Sequence, residues 1–185
     1  MSALTTYSAD QPQHGTTTRE FAAIAEQLNA LGVQFERWQA ECEFAADAEA
    51  QDVLDAYQGS INKLKQQSGF QSVDVVSLKA DHPDKATLRQ KFLAEHTHSD
   101  FEVRFFVEGR GLFCLHVGDK VYQILCEQGD LISVPANTPH WFDMGENPDF
   151  KCIRLFTTED GWVADFTGSL IAQSFPTLDQ YLAAL

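Results

Sequence analysis

Apolar residues in the first ninety positions keep mostly to helical spacing, whereas from about Ala94 onward they fall into short β-type runs broken by turn residues. Phe21, Ile24, Ala25, Leu28 and Leu31 recur every three or four positions, which places them on one face of a helix. Thr17 and Thr18 are candidate caps for that helix, and Gly32 is a natural stop. A second helical stretch is expected from about Ala45 to Gln67, with Val53, Leu54, Tyr57, Ile61 and Leu64 on one side and Gly69 at its end. SVDVVSL, Ser72 to Leu78, is short and β-branched and predicts a strand. Pro83 suits the first position of a short helix that contributes Leu88 and Phe92 to a core.

The second half reads EVRFFV, LFCLHV, KVYQIL, LISV, HWFDM and CIRLFT. These runs are separated by Gly109-Arg110-Gly111, Gly118-Asp119, Gly129-Asp130 and Pro135-Ala136-Asn137. Short strands at even spacing predict an antiparallel sandwich or barrel. A last helix is expected from Leu178 to Leu185, after Pro176. The organisation implied is one domain over residues 1–185, mainly β with flanking helices. The helices lie largely in 1–93, packed on the outer face of a barrel core at about 94–157.

Composition narrows the partners. Lys plus Arg number 13 against 27 Asp plus Glu, for a net charge of −14. So acidic a surface repels phosphate backbones and anionic lipid, which argues against nucleic-acid and membrane partners. The N-terminal residues have no basic cluster followed by an apolar run, and no stretch approaches a membrane span. The expected compartment is the cytoplasm, and the expected state a monomer. Cys42, Cys114, Cys126 and Cys152 are scattered without a C-x-x-C pair and read as small apolar residues.

The candidate chemistry lies at the start of the β-rich half. His96 and His98, two apart on a strand, share a face. Glu102 follows after three intervening residues, but a straight strand from His96 to Glu102 would span about 20 Å, too far for one ion. The chain therefore has to bend, and Ser99-Asp100 is the turn-like pair available. His140 comes several strands later, where a closed barrel can bring it to the same interior. Two plainer readings compete: a surface ion pair between His98 and Glu102, and a core role for His140. Context favours metal. His96-x-His98-x-x-x-Glu102 leads to Gly109, and Gly129-x-x-x-x-x-Pro135-x-Asn137-x-x-His140 follows one hairpin on. Together they resemble the two-part signature of the cupin barrel, a jelly roll. Gln90, Asn137 and Met144 depart from that pattern, and Asn137 still tolerates a left-handed turn. Three imidazoles and one carboxylate suit Fe(II), Ni(II), Mn(II) or Co(II) better than thiolate-loving zinc. Four such ligands leave an octahedral ion two positions for a substrate that chelates through two oxygens.

Longer motifs carry a narrower resemblance. Residues 95–107, EHTHSDFEVRFFV, with Gly109 and Gly111, and residues 129–143, GDLISVPANTPHWFD, resemble the acireductone dioxygenase family of cupins. The resemblance spans most of the chain and is least distinct after about Gly168. It implies an enzyme of methionine salvage that joins O2 to the acireductone 1,2-dihydroxy-3-keto-5-methylthiopentene. One Fe(II) per chain would give formate and 2-keto-4-methylthiobutyrate; Ni(II) would give methylthiopropionate, formate and carbon monoxide. It implies that Arg104 helps to hold the substrate dianion, and it links Glu95 to metal incorporation and Phe101 to relayed conformational change. By alternation and aromatic character, Phe92, Phe106, Phe142, Trp162 and Arg154 are candidates for the substrate wall. Two alternatives stand beside this reading. One is another cupin oxygenase or isomerase with the same ligands; the other is a non-enzymatic cupin that binds a small ligand.

Overall fold

The fold, taken from a computed structural model, is described for every residue except Glu41, Ala46, Asp47 and Glu159, and for Gln67 in its backbone alone. Its first half interleaves strands with helices: β1 (Ala3–Ser8), β2 (Thr16–Thr18), α1 (Phe21–Asn29), β3 (Gln34–Arg37), α2 (Ala50–Ala56), α3 (Gln58–Ser68), β4 (Ser72–Leu78) and α4 (Lys85–Leu93). The second half runs β5 (His96–Thr97), β6 (Glu102–Val117), β7 (Lys120–Glu127), β8 (Asp130–Val134), β9 (His140–Asp143), β10 (Phe150–Phe156), β11 (Asp165–Phe166), a 3-10 turn (Ile171–Ser174) and α5 (Leu178–Ala184).

All the strand pairings are antiparallel, and β6 joins two sheets. Its first part pairs with β8 and β10, to which β3 and β4 add the edges. Its second part pairs with β7 and β9 in the order β11-β5-β9-β6-β7-β1-β2. The Gly109-Arg110-Gly111 stretch, expected as a turn, is the crossing point inside this 16-residue strand. Gly109 has φ +69°, and a Cβ there would collide with the carbonyl oxygen of Asp149. The ladder to β10 slips register at Lys151/Cys152 beside it. Such a bulge bends the strand from one sheet into the other.

Alternation along β6 separates three apolar layers. Phe106, Phe113 and Leu115 face the interior, where they meet Phe142 and Phe150, Ile24 and Leu28 of α1, and the half-buried Leu88 and Phe92 of α4. Val103, Phe105 and Val107 face outward and are covered by Val53, Tyr57, Ile61 and Leu64 of α2 and α3. On the other sheet, Leu112, Cys114 and Trp141 face outward and are covered by Phe175, Leu178 and Tyr181 of the C-terminal segment. α2 and α3 thus lie on the outer face expected of the helices, whereas α1 and α4 pack against the interior cluster, and the tail supplies a second cover.

Local differences have local causes. Thr17 and Thr18 belong to β2, and the Thr17 hydroxyl lies 2.8 Å from that of Thr5 across the β1–β2 pair. The cap of α1 is Glu20, whose carboxylate accepts the N–H groups of Ala22 and Ala23 at 3.1 and 2.7 Å. The helix expected from about Ala45 is two helices jointed at Tyr57, whose φ of −117° breaks the turn. Residues 46 and 47 of that stretch lie outside the described residues. Gly69 ends α3 at φ +71° as expected. α4 begins two residues after Pro83, because the 82–85 turn, with Lys85 N–H on the His82 carbonyl, precedes it.

Candidate metal centre

Three strands bring the histidines together. β5 lies between β9 and β11, with His96 directly opposite His140 on one side and Phe166 on the other. The His96 and His140 ring centroids are 4.4 Å apart, and those of His96 and His98 5.1 Å. One ligand atom from each of His96, His98 and His140 lies within 4.8 Å of the others, and all three side chains are buried. The expected bend falls between β5 and β6, and it turns Glu102 onto the same interior. Glu102 Oε2 lies 3.0 Å from His140 Nε2 and 3.4 Å from His98 Nε2.

The backbone sets the tautomers. His96 Nδ1 is 2.7 Å from the Ala94 carbonyl, His98 Nδ1 2.8 Å from that of Val163, and His140 Nδ1 2.7 Å from that of Thr138. A carbonyl only accepts, so each Nδ1 carries the proton and each neutral ring turns an Nε2 lone pair to the centre. Burial first, then the nearby His140, pushes His96 down to about 4, so it stays neutral at physiological pH. For His98 burial acts in the same direction, but the negative charge of Glu102 outweighs it and raises the pKa. Burial likewise opposes the ionised Glu102, yet the charge of Arg104 holds its carboxyl well below the usual range.

Glu102 Oε2 and His140 Nε2 are both buried without a hydrogen-bond partner. Two buried acceptors that face each other at 3.0 Å are unfavourable unless a proton or a metal ion lies against both. This donor set fits a divalent ion.

Arg104 donates from Nη2 to Glu102 Oε1 at 2.7 Å, while its Nε is buried and unpartnered. Its guanidinium stands 4.4 Å over the Phe142 ring. Beside the histidines is a cavity of about 420 Å³ with predominantly aromatic walls. Of the residues expected there, Phe92, Phe142, Trp162, Arg154 and Arg104 line it. Arg154 is also held by Asp74 through bonds of 3.0 and 2.6 Å. Phe106 is not in the lining; it is buried in the interior core beside Phe142, centroids 6.2 Å apart. Phe101 is 42% exposed and also outside the lining. Glu95 is buried rather than solvated, and it accepts from His116 Nδ1 at 2.9 Å and from Thr167 Oγ1 at 2.7 Å.

Several lining residues were not foreseen. Phe113 stacks on His140 at 5.4 Å and 18°, Phe166 lies 5.8 Å from His96, and Phe156 lies 6.2 Å from His98. Phe113 shares an interior face with Leu115, so alternation alone could have marked it; Phe166 and Lys91 carried no such signal.

Comparison with known proteins agrees with this geometry. The sequence model of the ARD/ARD' family matches residues 4–164. Acireductone dioxygenase of Methylococcus capsulatus is 62% identical over 175 residues, covering 92% of this chain and 94% of that protein. That of Klebsiella oxytoca is 57% identical over 182 residues, covering 96% and 99%. The structure of acireductone dioxygenase from Bacillus anthracis, with a cadmium ion in its active centre, superposes with a TM-score of 0.79. It is 28% identical and covers 90% of this chain and 98% of that one. With a cupin fold, a three-histidine metal site and near full-length identity to these enzymes, the chain belongs to the acireductone dioxygenase family.

Proposed function

We propose that the chain, acting as one domain and a cytoplasmic monomer, cleaves 1,2-dihydroxy-3-keto-5-methylthiopentene with O2 in methionine salvage. His96, His98, Glu102 and His140 hold one Fe(II) or Ni(II) ion for this reaction. The observation that carries the reading is the inward set of three Nε2 lone pairs and the unpartnered Glu102 Oε2, opening on an apolar cavity. When bound, the ion supplies Lewis-acid chemistry to an enediol that chelates through two oxygens. Iron gives formate and 2-keto-4-methylthiobutyrate, and nickel gives methylthiopropionate, formate and carbon monoxide.

The chain's own groups do the rest. Arg104, buried with a free Nε, favours loss of a proton from the enediol and holds the resulting oxyanion. Its bond to Glu102 keeps that carboxylate ionised and aimed. Phe92, Phe142, Phe156 and Trp162 take the methylthio tail and exclude water from the reacting end. Lys91 and Arg154 add positive charge to the lining, which suits an anionic substrate on a chain of net charge −14. No helix among the described residues is long and apolar enough to cross a membrane.

The test is anaerobic loading with Fe(II) or Ni(II), mixing with the acireductone and air, and following loss of the enediol absorbance. Product analysis separates the two metal forms. Absence of turnover with both metals defeats the proposal.

A further inference from the structure

We propose that Asp100 is the positioning residue for His98, acting through Thr157, Thr158 and residues 160–163. The inference rests on the metal reading above, because it concerns how one of the imidazoles is aimed.

The three histidines are oriented by different means. His96 and His140 each donate to a carbonyl two residues earlier on their own chain segment, Ala94 and Thr138. His98 alone donates to a remote carbonyl, that of Val163, 65 residues away. Its orientation is therefore only as definite as the position of that distant segment. Asp100, two residues beyond His98, grips the same segment. Its buried carboxylate accepts from the Thr157 N–H at 2.6 Å, the Thr158 N–H at 2.9 Å and the Thr158 hydroxyl at 3.4 Å. The Thr157 hydroxyl and, at 2.7 Å, the Phe101 N–H complete the set. A residue needed only for a bend would satisfy its neighbours' N–H groups; four of these five donors lie 57 or 58 residues away.

Residues 160–163 then lie close against Asp100. Gly161 passes so close that a Cβ would lie 2.5 Å from Asp100 Oδ2, and the Val163 N–H bonds to the Asp160 carbonyl at 3.0 Å. Beyond Val163, β11 pairs with β5 and fixes the far end. His98, Asp100 and the segment thus form a closed loop of bonds, in which slack at Asp100 becomes rotation of the His98 ring. The same segment presents Trp162 and Val163 to the cavity, so one carboxylate sets both a ligand and a wall.

The test measures Ni(II) affinity of the full chain by competition with a chromophoric chelator, and the absorption spectrum of the Co(II)-substituted protein. Asp100→Ala should weaken Ni(II) by roughly ten- to hundredfold, the effect expected of a lost outer partner, and should shift the Co(II) bands. Gly161→Ala leaves the carboxylate in place but pushes the segment off it, and should move both readouts in the same direction. Asp100→Asn, which keeps one acceptor oxygen, should fall between. Ser99→Ala, exposed in the same bend, should match the parent. Should Asp100→Ala fail to fold, Gly161→Ala and Asp100→Asn decide. Parent-like affinity and spectra in the variants overturn the inference, as does a loss of affinity explained by unfolding of the metal-free chain. A parent protein that takes up no Ni(II) removes the metal reading and this inference together, whereas tight binding in parent and variants alike removes only the role of Asp100.

Discussion

Removing the charge of Arg104 should destabilise the metal-free protein far more than the metal-loaded one. Arg104 and Glu102 are 7% and 3% exposed and bonded at 2.7 Å. Arg104→Leu leaves a buried carboxylate without its main counter-charge, which costs about 3–5 kcal/mol. Loss of the guanidinium from the Phe142 face adds about 0.5–1 kcal/mol. Protonation of Glu102 limits the damage, and this gives the effect a pH signature. In the parent the folded pKa lies below the ordinary 4.5, so Glu102 stabilises the fold above 4.5 and loses that contribution as pH falls through the folded value. Without Arg104, burial drives the pKa upward, and the variant instead loses stability as pH rises through 4.5 toward the new value. The deficit is therefore largest near neutrality and shrinks in acid. A bound divalent ion replaces the missing counter-charge and should remove more than half of the deficit. Urea denaturation of parent and variant, with and without Ni(II), at about pH 5 and 7.5 gives the four differences. Equal deficits in the two metal states, or a deficit that grows toward acid, would show that Arg104 does not hold the Glu102 charge.

In metal-free protein, proton NMR of the histidine rings should show His96 titrating at about 4 and His98 above 6.5. The signs oppose: His98 stabilises the fold below 6.5 and that contribution fades as pH rises through its folded pKa, whereas His96 withdraws stability as pH falls from 6.5 to about 4. The reverse order of titration would contradict the hydrogen-bond assignments. At the cavity mouth, Trp162 is 58% exposed without substrate, so Trp162→Ala should leave the melting temperature nearly unchanged. If it covers ~50 Å² of the substrate tail at ~25 cal/mol per Å², KM rises about tenfold. An unchanged KM would place the tail elsewhere.

The parts of this protein legible in its sequence are those governed by short-range periodicity. SVDVVSL is the strand β4 over the expected residues, and His96 and His98 reach one centre as their spacing predicts, although the strand β5 ends at Thr97 between them. Asn137 does adopt the left-handed conformation, φ 61°, that its place in the motif required. Glycine is where the reading divides. Gly118 sits in the tight turn between β6 and β7 as expected. Gly109 shows the same positive φ within a continuous strand, because a carbonyl from the adjoining chain occupies the space of its Cβ. Locally the two glycines are identical, and the partner that distinguishes them is remote.

The same limit explains which site residues escaped. Alternation places Arg104 and Phe106 on one face of β6, and the structure agrees about the face, yet only Arg104 reaches the cavity. Depth along a barrel depends on where the neighbouring strands stop, and no pattern within EVRFFV encodes it. Asp100 is the stronger case. As a turn former between two ligands it needs no partner beyond Phe101, whereas its carboxylate is consumed by Thr157 and Thr158. A motif names the groups able to bind an ion. How firmly each is aimed depends on bonds that close only when the chain has returned upon itself, and at His98 that closure runs through a carbonyl 65 residues away.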